Sequence, residues 1–152
     1  MQYNYISPIG PLLITYNHTH IIGVHFDRLQ TAETTQNSLI QTCIIQLDEY
    51  FAGSRKTFVL PLEPPGTDFQ RRVWSALQHI DHGKTATYGT IAAAIGNPKA
   101  SRAVGGANNK NPIIIIIPCH RIIGSTGAMV GYGGGLHRKI WLLEHESKAK
   151  LS

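Results

Sequence analysis

The chain has 152 residues, of which 42% are hydrophobic and only 15% charged, a composition that supports one or two folded domains and excludes an intrinsically disordered protein. Its longest uninterrupted aliphatic run, residues 113–117, is too short to cross a bilayer. Two cysteines, Cys43 and Cys119, make no disulfide framework. We therefore expect a reducing, intracellular location, cytoplasmic if the source is a prokaryote.

The charge is divided unevenly along the chain. Residues 1–66 contain three Lys/Arg against five Asp/Glu, a net charge of −2, whereas residues 67–152 contain eleven against four, a net charge of +7. A basic second half suits a polyanion such as nucleic acid, but a solvated basic surface without a partner gives the same count. The change from net negative to net positive charge falls at Pro61–Gly66, which we interpret as a linker between domains at 1–62 and 67–147.

The first half predicts a small antiparallel sheet followed by a helix. Residues 12–16 and 21–26 are β-branched and aromatic runs, and turn sequences at 8–11 and 17–20 separate the short strands expected between residues 3 and 26. Apolar residues at helical spacing then predict a helix from about Ala32 to Phe51, which Gly53 ends.

A helix opens the second half of the chain. Thr67 and Gln70 stand three residues apart, the relation of a capping box, in front of an apolar stripe at residues 69, 73, 74 and 77. Thr87 is placed to cap a second, shorter helix that Gly96 ends.

A third helix is expected at residues 98–108, with Asn97 as its cap and Pro98 at its first position. Two short helices joined by Gly-Asn-Pro form a helix-turn-helix unit. Helical spacing places four residues on the face opposite the apolar one: Arg102, Gly105, Gly106 and Asn109. Two glycines inside a helix cost about 1 kcal/mol each relative to alanine. Close approach of a DNA strand or of another part of the protein would explain them equally well.

The rest of the chain predicts a strand, a loop and a last helix. Five consecutive isoleucines, 113–117, indicate a fully buried strand after the Asn111-Pro112 turn. A glycine-rich loop covers residues 124–135, and a helix extends from Leu136 to about Lys148, with Ile140, Trp141 and Leu143 as its apolar residues. The predicted fold class is α/β (α+β): a small N-terminal antiparallel sheet plus helix, then a mainly helical C-terminal domain with a helix-turn-helix.

Cys119 is the candidate nucleophile. It follows the isoleucine run and a proline, and it precedes His120 and Arg121, which supply a possible base and positive charge. Neighbouring cations lower the pKa of a thiol. Three residues of the last helix could orient a histidine: Glu144, His145 and Glu146. Cys43 lies on the apolar stripe of its own helix, the ordinary place for an inert cysteine.

The hexapeptide Ile-Pro-Cys-His-Arg-Ile at 117–122 resembles the active-site signature of the 6-O-alkylguanine-DNA alkyltransferases. The similarity covers nearly all of residues 66–146 in order, whereas the first 60 residues resemble the family only in general layout. It rests on seven further segments: Gly-Thr-Asp-Phe-Gln (66–70), Val-Trp (73–74), Thr-Tyr-Gly (87–89), Ala-Val-Gly-Gly-Ala-Asn (103–108), Asn-Pro (111–112), Gly-Tyr (131–132) and Trp-Leu-Leu (141–143).

The resemblance implies direct DNA repair. The alkyl group of a 6-O-alkylguanine, with 4-O-alkylthymine as a further candidate substrate, would pass to Cys119 once per molecule. The resemblance further implies a suicide methyltransferase with no cofactor and no metal. Its partner would be double-stranded DNA containing alkylated guanine. A monomer without membrane association is expected.

The resemblance also implies roles for single residues. Cys119 would accept the alkyl group, His120 would take the thiol proton through a water molecule, and Glu146 would hold His120. Asn111 would order the turn before the active site, and Tyr88 would donate a hydrogen bond to the guanine. The substrate pocket would include three more residues: Ile122, Tyr132 and Gly133.

The second helix of the helix-turn-helix would lie in the minor groove, and Arg102 would fill the space left by the rotated nucleotide. The implied DNA-binding residues are Thr87, Arg102, Ala103, Gly105, Gly106 and Asn109. The chain departs from the family at Asp81, where proline is usual, at Thr87, where serine is more usual, and at Gly133, where some members carry serine.

Two other functions fit parts of the pattern. A non-catalytic protein that recognises alkylated DNA would need no reactive thiol, and the related non-catalytic binders have tryptophan in place of the cysteine. A cysteine hydrolase using Cys119 and His120 would turn over repeatedly. A metal site at His18, His20 and His25 is less favoured, because no cysteine lies near them.

Overall fold

Three antiparallel strands begin the chain in a computed structural model that describes residues 1–28 and 37–151. Strands β1 (Gln2–Ser7), β2 (Gly10–Tyr16) and β3 (Ile21–Phe26) pair in the order β1-β2-β3, which confirms the predicted sheet. Alternate residues of β2 are almost completely buried, so one face of the sheet forms part of the core. The end of strand β3, His25 and Phe26, lines the same cavity as Cys119.

Helix α1 (Ser38–Phe51) packs its buried Ile40, Leu47 and Tyr50 into the core. Residues 32–36 of the predicted helix lie outside the described residues. At Asn37 the prediction of helix is wrong, because this residue is extended and its side-chain oxygen accepts hydrogen bonds from the backbone N–H groups of Leu39 and Ile40. Asparagine favours this capping position because its side chain satisfies amides that have no partner within the helix.

Helix α2 (Asp68–Leu77) and helix α3 (Tyr88–Ala94) have the caps that the sequence predicts. Thr67 and Gln70 exchange both bonds of a capping box, and the Thr87 hydroxyl accepts a 3.1 Å bond from the Thr90 amide. The indole Nε1 of Trp74 donates a 2.8 Å bond to the carbonyl of Ala107. This bond joins α2 to the next helix.

Helix α4 (Ser101–Asn109) begins later than the sequence predicts. Asn97 does not cap it, and Pro98 does not occupy its first position. The amide of Asn97 bonds to the carbonyl of Ala92 at the end of α3, while its own carbonyl accepts a bond from Ala100. Asn97 therefore bonds to the end of α3 through its amide and begins a separate turn, 97–100, through its carbonyl. Helix α4 starts after that turn, at Ser101.

The isoleucine run 113–117 is buried, as predicted, but it is not a strand. Its first part bonds to Val24 of β3, and the chain then reverses at Ile115, whose φ is 72°. Asn111 holds both ends of the reversal: its Oδ1 accepts from the Ile113 amide at 3.0 Å and its Nδ2 donates to the Ile117 carbonyl at 2.8 Å. Burial selects apolar residues whatever the backbone conformation, so hydrophobicity alone did not reveal this turn.

A 3₁₀ turn at Cys119–Arg121, the glycine-rich loop and helix α5 (Leu136–Leu151) complete the chain. Of the apolar residues named for α5, Trp141 packs against the core but Ile140 is 40% exposed, whereas Lys139, Leu142 and Glu146 are fully buried. Within residues 1–28 and 37–151, no helix combines the length and apolar character that a bilayer span requires.

Candidate active site

Cys119 faces a cavity of about 180 Å³ that residues from both halves of the chain line. The thiol follows the isoleucine turn and lies in the 3₁₀ turn, where only 4% of the residue is exposed. The cavity wall includes strand β3, the end of α4 and the glycine-rich loop, through residues such as His25, Asn109, Asn111, Tyr132 and Gly133. The predicted pocket residue Ile122 does not line it; its side chain is fully buried in the hydrophobic core.

Burial raises the pKa of the Cys119 thiol to about 11. A hydrogen bond with the Asn111 side chain and the positive charge of Lys139 lower this pKa but do not offset the burial. The expectation that the adjacent cationic residues make a low-pKa thiol is therefore wrong. The free protein holds a protonated thiol, and any reaction of its sulfur requires a proton acceptor.

His120, the residue after Cys119, forms a fully buried pair with Glu146. The ring nitrogen Nε2 of His120 lies 2.8 Å from Glu146 Oε2. Burial raises the pKa of Glu146, but bonds from His120 and Arg121 dominate and hold it well below its usual range. Because the carboxylate can only accept, Nε2 of His120 carries the proton of this bond.

The second ring nitrogen of His120 is placed to accept a proton. Burial lowers the pKa of His120, so the imidazole is neutral near pH 7. With the proton on Nε2, Nδ1 keeps a free lone pair. This atom is buried and has no hydrogen-bond partner in the part of the chain that the structure describes.

Arg121 supports the carboxylate and not the thiol. Its Nε and Nη2 donate to the two oxygens of Glu146 at 2.9 and 3.0 Å, and its Nη1 donates to the carbonyl of Ile80 at 2.5 Å. The guanidinium of Arg121 is thus engaged by Glu146 and by the backbone of Ile80, although Arg121 lies only two residues after Cys119. Glu144, the alternative partner for the histidine, is exposed.

The sequence reasoning missed two residues of this site. Lys139 is fully buried, donates to the carbonyls of Ile122 and Val130, and is the positive charge that acts on the thiol. Tyr50 donates a 2.7 Å hydrogen bond to Glu146 from helix α1. A signal for Lys139 was available, since it lies three and seven residues before Leu142 and Glu146 and so shares their helix face.

Two tyrosines border the thiol. Tyr88 lies against Gly105, where an added Cβ would meet its ring at 3.6 Å. Burial and Cys119 raise the pKa of Tyr88, and the same causes raise the pKa of Tyr132 well above its usual value. The hydroxyl of Tyr132 is buried and has no hydrogen-bond partner among the described residues. Both phenols are therefore protonated and can donate.

The exposed side of α4 carries most of the residues predicted to bind DNA. Arg102, Ala103, Gly106 and Asn109 are exposed, and Thr87 is half-buried at the start of α3. Gly105 does not belong to this face, because it is buried under the ring of Tyr88. Helical spacing alone predicted an exposed Gly105, because it takes no account of neighbouring elements. In the folded chain the ring of Tyr88 covers this position.

Two family models match almost the whole chain. Residues 2–64 match the family model of the 6-O-methylguanine DNA methyltransferase, ribonuclease-like domain, and residues 68–148 match that of the 6-O-methylguanine DNA methyltransferase, DNA binding domain. The chain belongs to the 6-O-methylguanine DNA methyltransferase family. Cys119, His120 and Glu146 all lie within the second match.

Relatives in this methyltransferase family match over almost the full chain. The methylated-DNA–protein-cysteine methyltransferase of Mycobacterium leprae is 44% identical over 96% of this chain and 92% of its own length. That of Methanosarcina acetivorans is 47% identical over 92% and 94%. The crystal structure of Mycobacterium tuberculosis OGT in complex with DNA matches with a TM-score of 0.88 and 43% identity, over 97% of this chain and 93% of that chain.

Proposed function

We propose that this DNA repair methyltransferase moves one alkyl group from the 6-oxygen of guanine to the sulfur of Cys119. The observation that carries the proposal is a thiol that faces a cavity and directly precedes the histidine of a buried histidine–carboxylate pair. A carbon–sulfur bond forms as the carbon–oxygen bond breaks, and the product is a thioether that water does not readily reverse. Each molecule therefore acts once.

The thiol proton goes to His120 Nδ1 through a water molecule, because the buried thiol is protonated in the free protein. Glu146 stabilises the imidazolium that forms, and Lys139 stabilises the thiolate. Tyr88 donates a hydrogen bond to the guanine as its leaving oxygen gains charge, and the guanine takes up one proton as it leaves, which balances the proton that the thiol loses. Asn111 keeps the turn before Cys119 in place.

The second part of the proposal concerns the DNA. The target oxygen lies inside a base stack, so the nucleotide has to rotate out of double-stranded DNA to reach a buried thiol. The exposed face of α4 approaches the minor groove, and Arg102 fills the vacated space. We assign DNA binding and nucleotide rotation to a domain at 67–147, supported by a domain at 1–62, in a protein that acts as a monomer.

Mass spectrometry tests the proposal directly. After incubation with duplex DNA containing 6-O-methylguanine, the intact chain is expected to gain about 14 Da, once per molecule and on Cys119. Cys119→Ala should show no gain while it still binds the DNA. Cys43→Ala is the matched control and should react like the unaltered chain, because Cys43 is fully buried away from the cavity and burial raises its pKa to about 12.

The same experiment, together with a turnover assay on an ester and a peptide, separates the other functions. Tight binding to the damaged duplex without any mass change would favour a non-catalytic recognition protein. Repeated turnover on an ester or peptide would favour a cysteine hydrolase. Either result would overturn transfer to Cys119.

A further inference from the structure

Helix α1 contributes one side chain, that of Tyr50, to the cluster that Glu146 forms with His120 and Arg121. Tyr50 is fully buried, and its hydroxyl donates a 2.7 Å hydrogen bond to Glu146 Oε2. The same oxygen lies 2.8 Å from His120 Nε2 and 3.0 Å from Arg121 Nη2. Three donors thus share one carboxylate oxygen, and one of them belongs to the N-terminal half of the chain.

A second contact with α5 fixes Tyr50 in this position. The carbonyl of Tyr50 accepts a 2.7 Å hydrogen bond from His145 Nε2, and His145 directly precedes Glu146. The ring of His145 stacks on Trp141 with centroids 4.8 Å apart. Burial and the adjacent Glu146 raise the pKa of Tyr50 well above its usual value, so its hydroxyl remains protonated and acts as a donor.

We propose that Tyr50 is a positioning residue for alkyl transfer, whose hydroxyl shares Glu146 Oε2 with His120 and so limits how strongly the carboxylate supports the imidazole. The reason is that hydrogen bonds to one anionic oxygen compete for its charge. Each donor stabilises the anion and leaves less of its field for the imidazolium. This inference rests on the proposed function, because His120 matters as a base only if the thiol reacts.

Other titratable groups surround the cluster without replacing this bond. His82 lies in the loop after α2, Tyr132 in the glycine-rich loop and Lys56 in the loop after α1. Helix α5 contributes Lys139 and His145. Among the described residues, only Tyr50, His120 and Arg121 bond to Glu146 Oε2. Removal of the Tyr50 hydroxyl therefore takes away one of three donors without changing the charge of the cluster.

Tyr50→Phe tests the proposal, because it keeps the ring and removes the donor. The rate of a single transfer from duplex DNA with 6-O-methylguanine is measured from about pH 5 to pH 9. Without the phenol, Glu146 supports the imidazolium of His120 more strongly. The acid limb of the pH–rate profile should then move upward by about one pH unit. Titration of the His120 ring followed by nuclear magnetic resonance should move in the same direction.

Tyr5→Phe is the matched control. The Tyr5 hydroxyl donates a 2.6 Å bond to Asp48, another phenol–carboxylate pair, and neither residue lines the cavity. This variant should leave the pH–rate profile in place even if it lowers stability. A Tyr50→Phe profile that superimposes on that of the unaltered chain, with an unchanged His120 titration, would show that Tyr50 only supports the fold and would overturn the proposal. Absence of transfer by the unaltered chain would instead overturn the proposed function.

Discussion

At the scale of single residues, opposing effects act on the sulfur of Cys119. Burial raises the pKa of the thiol, while the Asn111 hydrogen bond and the Lys139 charge lower it. A fully buried lysine is uncommon, and here its ammonium donates to two backbone carbonyls close to the thiol. Lys139 therefore reduces the free energy of forming the thiolate, whereas Arg121, the cation nearest to Cys119 in sequence, bonds to Glu146 instead.

We predict that Lys139→Met slows alkyl transfer roughly tenfold near pH 7, because loss of the ammonium raises the pKa of Cys119 further. Methionine keeps most of the side-chain length, so the packing of α5 should survive. The measurement is the single-transfer rate as a function of pH, in which the variant should recover rate as the pH rises. Lys148→Met, at an exposed position of the same helix, should leave the rate unchanged. Equal rates for Lys139→Met and the unaltered chain would contradict the role.

The sequence predicted the chemistry of the site better than its geometry. His120 and Glu146 pair as the resemblance implies, and Cys119 faces the cavity one residue before His120. The direction of Arg121 could not be predicted, because it depends on the 3₁₀ turn and on the Ile80 carbonyl that receives its Nη1. Tyr50 lies 96 residues from Glu146 in sequence, so no pattern among neighbouring residues predicts the contact between them.

At the scale of elements, local chemistry predicted some boundaries and tertiary contacts determined others. The capping box at Thr67 and the cap at Thr87 need only neighbours in sequence, and both are present. The isoleucine run and the start of α4 were predicted wrongly. In the first case Asn111 folds the backbone into a turn, and in the second Asn97 is already used to close α3.

Two glycines of helix α4 allow the effect of an alanine substitution on stability to be distinguished from its effect on DNA binding. A Cβ on Gly106 would meet no heavy atom within 4 Å, whereas one on Gly105 would make ordinary contact with Tyr88 at 3.6 Å. Alanine at either position should raise the free energy of unfolding by up to about 1 kcal/mol, because glycine is a poor helix former. Only Gly106→Ala should weaken binding to duplex DNA, because only Gly106 lies on the exposed face.

Thermal or urea unfolding and a duplex-binding titration on both variants check this prediction. Gly105→Ala is the control for helix propensity. If Gly106→Ala binds duplex DNA as tightly as the unaltered chain, α4 does not approach the backbone of the DNA at this position.

At the scale of the whole molecule, the active-site carboxylate also joins the two halves of the chain. Glu146 of α5 bonds to Tyr50 of α1 and to the 3₁₀ turn that carries Cys119. All of these groups are buried, so the charge of the pair is stable only while the surrounding donors stay in place. The site and the fold therefore respond to pH together.

We predict that the free energy of unfolding falls as the pH is lowered from about 6.5 to about 4. The pKa of His120 is lowered in the folded protein, mainly by burial, so below its ordinary value the unfolded chain binds a proton that the folded chain does not. Glu146, held below its usual range by His120 and Arg121, adds the same effect below its unfolded pKa of about 4.5. Both groups therefore contribute stability above these values and lose it as the pH falls.

Urea unfolding at several pH values measures this loss, and two variants of α5 isolate its source. Glu146→Gln should lower stability near pH 7 by about 3–5 kcal/mol, because Arg121 is left buried without its counter-charge, and it should flatten the decline below about pH 5. Glu144→Gln changes an exposed carboxylate two residues earlier and should leave the curve unchanged. A decline of the same steepness in Glu146→Gln and the unaltered chain would mean that acid unfolding begins elsewhere in the molecule.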